Sequence, residues 1–246
     1  MELSVVLTCL NQEKVLQNSV ETIIDILNKN KIKYEIIIVD DGSTDSTYEI
    51  MKRLNKRYKN IRLLKHKHNF GRGKAASNGF KIAKGTYVGF LDTDLELHPK
   101  YLPMFLKELE RGYDVAIYYR KYKHNLQGII RAITSYSYNL LVKLILGVNL
   151  KDTEAGFKFF NREKILPILD KIKEERWFWD TEIIVRSYLV GLRIIEIPLI
   201  YIPNKEEGST VKIFGDSLDY LKKLIKFRKI ANKLKNHPGL THSSDL

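Results

Sequence analysis

Cysteine is almost absent from this sequence: among 246 residues only Cys9 carries a thiol. An intramolecular disulfide is thereby excluded, as is a zinc site built on four thiolates, and a reducing, intracellular setting is the simplest expectation. Long apolar runs are lacking too. The most apolar stretch, residues 132–148, is interrupted by Asn139 and Lys143 and falls short of the ~20 residues needed to cross a bilayer. The opening Met1-Glu2-Leu3-Ser4-Val5-Val6 has no basic segment and runs straight into a strand-like pattern, so no signal peptide is expected. Internal repeats are missing, and no linker rich in Pro, Gly or Ser divides the chain. A single domain over residues 1–236 with a loose tail at 237–246 is expected. Acidic residues are the minority, 29 against 42 Lys plus Arg, which leaves a formal charge of +13. An anionic partner follows, whether nucleic acid, a phosphorylated small molecule or an anionic membrane face.

What is present is an alternation of apolar runs and amphipathic segments, the pattern of strand and crossover helix in an α/β fold with a mostly parallel sheet. Strands are expected at 3–10, 34–39, 61–64, 86–91, 115–119, 157–160 and 194–202, the last weakened by Pro198 to an edge or irregular place. The run at 86–91 is almost wholly apolar and reads as central. Helices are expected at 15–27, from Ser46 with Glu49 as a capping box, through Ala83, from Pro99 to Arg111, along 126–145, at 165–172, at 181–189 with Gly191 closing it, and at 216–235.

In open parallel sheets ligands bind beyond the carboxyl ends of the strands, and the acidic residues sit there. Asp40-Asp41-Gly42-Ser43-Thr44-Asp45 follows the second strand and Asp92-Thr93-Asp94 the fourth. Carboxylates crowded at the end of a buried strand need a compensating cation or hydrogen bonds. A Mg²⁺ or Mn²⁺ ion sharing diphosphate oxygens would compensate them, with Glu96 as a next ligand. Taken alone, Asp-Thr-Asp is an ordinary solvated turn; the second acidic turn and the glycine-rich Gly71-Arg72-Gly73-Lys74, leading into a helix N-terminus suited to anions, favour a site. Gly71-x-Gly73-x-x-Ala76 with Asp92 downstream also mimics a dinucleotide fingerprint, but such a motif belongs to the first strand-turn-helix of its unit. A P-loop is excluded by the missing spacer and hydroxyl residue.

These motifs, in this order, resemble the family 2 inverting glycosyltransferases, and among them the dolichyl-phosphate (polyprenyl-phosphate) mannose and glucose synthases. The resemblance rests on 39–45, Gly71 to Ala75, Asp92 to Leu95 with Pro99, Asp152 through Gly156-Phe157-Lys158, Trp179-Asp180-Thr181-Glu182, Glu196-Ile197-Pro198 and Gly208-Ser209, and covers residues 3–230. It implies a GT-A (nucleotide-diphospho-sugar transferase) fold and a metal-dependent transfer of a hexose from a nucleotide sugar, with UDP and glucose favoured by the last three motifs. Asp40 and Asp41 would lie by the nucleoside and Asp92 by its ribose, with Gly42, Ser43 and Thr93 among the substrate-binding residues. Asp92, Asp94 and Glu96 would hold the metal, Mg²⁺ or Mn²⁺. The resemblance also implies substrate-binding roles for Gly71, Gly73, Lys74, Asp152, Gly156, Asp180 and Glu182. Arg120 and Arg131 match the arginines that hold an acceptor phosphate, with Asp94 completing the catalytic set. Departures occur at Thr8-Cys9-Leu10-Asn11-Gln12, where the family has Pro-x-Tyr-Asn-Glu; Thr8, Leu10 and Asn11 border the base. After Gly208-Ser209, Thr210 and Val211 delay the expected diphosphate lysine to Lys212.

A phosphate monoester has its second pKa near ~6, so a polyprenyl-phosphate acceptor is already ionised at neutral pH and needs no general base. A hydroxyl acceptor, as in a family 2 enzyme extending a glycan, would need one, and Asp152 or Asp180 could serve. The basic amphipathic pattern from Asp216 and the apolar 126–148 stretch suit either the core or an anionic lipid surface on the cytoplasmic side, where a separate anchoring protein could assist. A nucleic-acid-binding module is the reading from another class, but the lysines are spread along helices and no recognition motif occurs.

Overall fold

The computed structural model of the protein describes residues 1–122, 126–201 and 213–236. Seven strands form one sheet: β1 (Leu3–Cys9), β2 (Tyr34–Asp40), β3 (Ile61–Lys65), β4 (Tyr87–Asp92), β5 (Val115–Tyr122), β6 (Phe157–Asn161) and β7 (Ile194–Tyr201), in the order β3-β2-β1-β4-β6-β5-β7. β6 runs antiparallel to β4 and β5, while the other neighbours pair in parallel. β4 is central and β7, with its Pro198, lies at the edge, where a missing N–H breaks no ladder bond.

Successive strand residues point to opposite faces, and here both faces are apolar. Leu3, Val5, Leu7, Ile36 and Ile38 face one core cluster, shared with Phe105, Phe157 and Phe159. Val6, Ile37 and Val39 face another, shared with Phe80, Phe160 and Trp179. The first cluster is covered by helices α1 (Leu16–Lys29), α2 (Thr47–Arg57) and α4 (Leu102–Glu110), the last entered through a short 3-10 turn at Pro99–Tyr101. The second is covered by α3 (Arg72–Ile82), α6 (Arg162–Leu169) and α7 (Trp179–Leu189). A third cluster joins α5 (Leu126–Leu146) and α8 (Ile213–Asn236) to α7 through Val142, Leu146, Val185, Leu224 and Phe227.

The expected Ser46–Glu49 capping box does not form. The Ser46 side chain makes no capping bond, and Glu49 pairs with Lys52 at 2.7 Å on the surface. Asp45 takes over the N-terminus of α2, its carboxylate accepting from Thr47 N (3.0 Å) and Glu13 N (3.2 Å), while Glu13 accepts from Ser46 N (3.0 Å). These bonds staple the loop after β1 to the turn after β2, which an ordinary local box would not do.

Because β1, β2 and β3 progress in one direction and β4 lies on the other side of β1, the order reverses between β1 and β4. A crevice beyond the carboxyl ends of these two strands is the expected ligand site of such a sheet.

Candidate active site

A crevice of about 360 Å³ opens at that place, lined by Thr8, Cys9, Leu10, Gln12, Asp41, Asn69, Gly71, Arg72, Asp92, Thr93, Asp94, Arg176 and Trp177. Thr8, Leu10, Asp41, Gly71, Asp92, Thr93 and Asp94 were expected from sequence. Asp41 is fixed by three donors: Phe70 N (3.0 Å) and His66 Nδ1 (2.7 Å) on Oδ1, and Gly71 N (2.8 Å) on Oδ2. Asn78 Nδ2 donates to His66 Nε2 at 3.0 Å, which leaves the proton on Nδ1 and aims it at Asp41. Asp40 is fully buried behind the crevice wall. Its Oδ1 accepts from Ser43 N (2.9 Å), and its Oδ2 is the buried side-chain oxygen that lacks a hydrogen-bond partner among the described residues. Asn11 sits at the rim, tied to the second turn through Ser43 Oγ and Thr44 N, each at 2.9 Å. Gly42, at φ +84°, lets the backbone at His68 pass where a Cβ would lie 2.6 Å from the carbonyl carbon. Thr93 donates its hydroxyl to Thr8 O (2.8 Å), tying β4 to β1. The thiol of Cys9 is pushed up to about 12 by burial, against the Thr93 hydrogen bond, and is unreactive at neutral pH.

The glycine-rich turn has a packing role of its own. A Cβ on Gly71 would lie 2.5 Å from Glu175 O, and one on Gly73 would collide with the Trp179 side chain and Arg176 O. Both positions are glycine because the segment 175–179 presses onto the start of α3. Lys74 N donates to Glu175 O (2.8 Å), and the Lys74 ammonium pairs with the Glu175 carboxylate at 3.1 Å. One N–H of the expected phosphate-binding helix N-terminus, that of Lys74, is thus taken by the chain's own carbonyl.

Arg72, from the same turn, donates through Nε and Nη2 to Asp92 Oδ1 (3.1 and 2.6 Å) and through Nη1 to Asp180. Asp180 is bonded in turn to the fully buried ammonium of Lys158 at 2.7 Å. The chain Asp92–Arg72–Asp180–Lys158 alternates in sign. Burial raises the Asp92 pKa against the opposing Arg72, and burial lowers that of Lys158 against the opposing Asp180. Gly156 belongs here as well, since a Cβ at that position would strike Asp92 Oδ2. Glu182 is buried against Arg186 (2.7 Å) and accepts from Glu174 N (3.1 Å), so it anchors the approach to α7 and does not line the crevice.

Asp92, Asp94 and Glu96 do not gather into a three-carboxylate cluster; none of that kind occurs among the described residues. The chain reverses at Leu95, at φ +52°, Glu96 N folds back onto Asp94 Oδ1 (3.0 Å), and Glu96 is not among the residues lining the crevice. Asp92 and Asp94 remain. Two carboxylates fit a Mg²⁺ or Mn²⁺ ion that completes its shell with phosphate oxygens and water, and they do not fit an all-protein cage.

Arg120, on β5, is held bidentately by Asp152 at 2.7 and 3.0 Å, with Glu154 at 3.9 Å. Arg131 lies on α5, its side chain outside the described atoms, and Ser209 and Lys212 lie outside the described residues. The Glu154 carboxyl is pushed up to about 7, chiefly by burial and against Arg120, with Asp152 adding to the rise. A carboxyl whose folded pKa is raised holds its proton longer in the folded state, so its contribution to stability falls as pH rises from about 4.5 to 7. Urea unfolding at either end of that window is expected to show a decline of about 1–2 kcal/mol that Glu154→Gln lacks, the size being discounted for partial exposure. Equal declines in both proteins would remove Glu154 as the cause.

The sequence profile of Glycosyl transferase family 2 matches residues 4–168. The chain belongs to that family. The Haloferax volcanii protein named Glycosyltransferase AglD is 33% identical over 208 residues, which is 82% of this chain and 33% of that protein. The Saccharomyces cerevisiae protein named Dolichyl-phosphate beta-glucosyltransferase is 31% identical over 249 residues, 92% of this chain and 74% of that protein. Its Dictyostelium discoideum namesake is 29% identical over 92% of this chain and 73% of its own length. This family 2 chain thus spans about a third of the first relative and about three quarters of the other two. Among solved structures, the Mycobacterium tuberculosis glucosyl-3-phosphoglycerate synthase in complex with Mn²⁺, UDP and phosphoglyceric acid superposes with a TM-score of 0.68 at 19% identity. That match covers 94% of this chain and 78% of that one. The likeness bears out the GT-A fold expected from the sequence.

Proposed function

We propose that this family 2 chain transfers a hexose, glucose foremost, from UDP-sugar to a polyprenyl or dolichyl phosphate with inversion at the anomeric carbon. The dolichyl-phosphate glucosyltransferases among its relatives support the acceptor and the sugar, and neighbours crystallised with Mn²⁺ or Mg²⁺ and UDP support the donor and the ion. The observation that carries the reading is the state of the carboxylates. Asp152 has both oxygens on the Arg120 guanidinium, and Asp180 has one on Arg72 and one on Lys158. Neither is placed to act as a general base, which a hydroxyl acceptor would demand and an ionised phosphate does not.

In this reading the acceptor's phosphate oxygen forms the bond to the anomeric carbon as the bond from that carbon to the diphosphate breaks, and UDP departs. Arg120, aimed by Asp152, steadies the acceptor phosphate, a role that the family resemblance extends to Arg131. Asp41, on the crevice wall, receives the nucleoside, and the buried Asp40 supports the turn behind it through Ser43 N. Asp94, with Asp92, would hold Mg²⁺ or Mn²⁺, which neutralises charge on the leaving diphosphate.

The acceptor is reached at an anionic membrane surface on its cytoplasmic side. No helix among the described residues is long and apolar enough to cross a membrane. The outer side of α5 nevertheless exposes Ile133, Tyr136, Leu140 and Leu144, at 60%, 70%, 41% and 71%. Beside it α8 buries Leu224, Phe227 and Ala231 while exposing Lys222, Lys226, Arg228, Lys229 and Lys233. Apolar and basic side chains side by side suit an anionic lipid interface. Incubation with radiolabelled UDP-glucose, Mg²⁺ and dolichyl phosphate in anionic vesicles is expected to give chloroform-soluble product. Product confined to water and formed only with a saccharide acceptor would overturn the acceptor assignment and favour the glycan-extending reading.

A further inference from the structure

We propose that Trp177 is the platform on which the hexose ring of the donor rests, making it a determinant of sugar specificity; the inference builds on the UDP-sugar reading above. The chain has two tryptophans, and they differ sharply. Trp179 is fully buried, donates Nε1 to Ser77 Oγ at 2.8 Å and meets Phe80 and Phe90 edge-on. Trp177 is 51% exposed and is the single aromatic residue among those lining the crevice. The indole thus keeps surface at the crevice that a ligand can meet, beside its contact with Arg72.

The fold presents this ring firmly. Gly71 and Gly73 lack the side chains that would push segment 175–179 away, and Lys74 N holds Glu175 O at 2.8 Å. Trp179 then plugs the far end of the segment into the core. The Arg72 guanidinium lies 5.2 Å from the Trp177 ring centre and 4.4 Å from that of Phe90, and it bonds to Asp92. Trp177 is therefore tied, through Arg72, to the carboxylate end of the crevice. The Asp40–Asp41 end, which takes the base, lies across β1 from Asp92. In a nucleotide diphosphate sugar the group beyond the diphosphate is the hexose, and that is the group placed to reach Trp177.

The chemistry matches glucose in particular. With every ring hydroxyl equatorial, glucopyranose offers C–H bonds on both faces, an apolar surface that an indole can cover while the hydroxyls point to the polar rim. Galactose turns its 4-hydroxyl onto one face and keeps C–H bonds on the other, so an indole that meets the hydroxyl-bearing face favours glucose.

The test pairs Trp177→Ala and Trp177→Phe with the unaltered protein, measuring UDP, UDP-glucose and UDP-galactose binding by calorimetry with Mn²⁺ present. Expected results are an unchanged UDP affinity in all three proteins and a UDP-glucose affinity lowered about fivefold to tenfold in Trp177→Ala. Substantial rescue in Trp177→Phe and a narrowed preference for glucose over galactose are also expected. Tryptophan emission should respond to UDP-glucose more than to UDP, and that difference should vanish in Trp177→Phe, since Trp179 is sealed in the core. Equal weakening of UDP and UDP-glucose would place the indole under the base and overturn the proposal, as would unchanged binding of both. An unaltered protein that takes no uridine nucleotide at all would overturn the donor reading itself.

Discussion

Asp180→Asn is expected to destabilise the protein by about 3–5 kcal/mol, because it strands a charge that the fold has sealed from water. Lys158 has no exposed surface, and its ammonium bonds to Asp180 Oδ1 at 2.7 Å. Burial already lowers its pKa, with Asp180 as the main opposing influence. Removing the carboxylate charge leaves a desolvated ammonium whose cheapest relief is to lose its proton. The sign of the pH dependence follows. With the folded pKa of Lys158 depressed and the unfolded one near ~10.4, the unfolded chain binds more protons between the two values, so stability rises with pH across that window. The deficit of Asp180→Asn against the parent should therefore shrink between pH 7 and about 9.5. Replacing both partners, as Lys158→Met with Asp180→Asn, should recover much of the loss, since an apolar side chain of similar length tolerates the site and the unpaired charge is gone. Chemical denaturation at the two pH values measures all of this; an Asp180→Asn midpoint equal to the parent's at pH 7 would dismiss the buried pair as a structural element.

That pair marks the boundary of what sequence reading reached. The strands were legible because β1, β2 and β4 place apolar residues on both faces, a signature that survives without knowledge of their neighbours. The acidic turns were legible for the same reason, as each follows directly on such a run. Lys158 could have been caught. In Phe157-Lys158-Phe159-Phe160 the alternation places Phe157 and Phe159 in one core cluster and Phe160 in the other, so a lysine between them must point inward and needs an anion. Its partner, 22 residues later on α7, could not be named from the local pattern.

The packing role of the glycine-rich turn was hidden for a related reason. Glycine before a helix signals either a close ligand or a close backbone, and sequence cannot separate the two. The approach of Glu175 and Arg176 to Gly71 and Gly73 shows the close backbone. The backbone reversal at Leu95, just before Glu96, was not legible, because a positive φ there is announced by no local residue preference. Trp177 was hidden in Arg-Trp-Phe-Trp, where three aromatic residues in a row look like core and two of them, Phe178 and Trp179, are.

Asp94→Asn is expected to lower turnover by about a hundredfold to a thousandfold while leaving the fold intact. The structural half of that expectation rests on a shared atom. Asp94 Oδ1 accepts from Glu96 N at 3.0 Å, closing the turn that redirects the chain away from the crevice. The amide oxygen of asparagine can accept the same bond, so the change in stability should stay within about 0.5 kcal/mol. The functional half rests on charge. Asp94 lines the crevice beside Asp92, whose Oδ1 carries two bonds from Arg72, and a hard divalent ion shared with a diphosphate needs anionic oxygen that an amide cannot supply. Mn²⁺ binding in the presence of UDP should weaken in Asp94→Asn in step with the loss of turnover, and added Mn²⁺ should restore part of it. Turnover at the parent rate, or parent activity that persists in EDTA, would remove Asp94 from the catalytic set and the ion from the reaction.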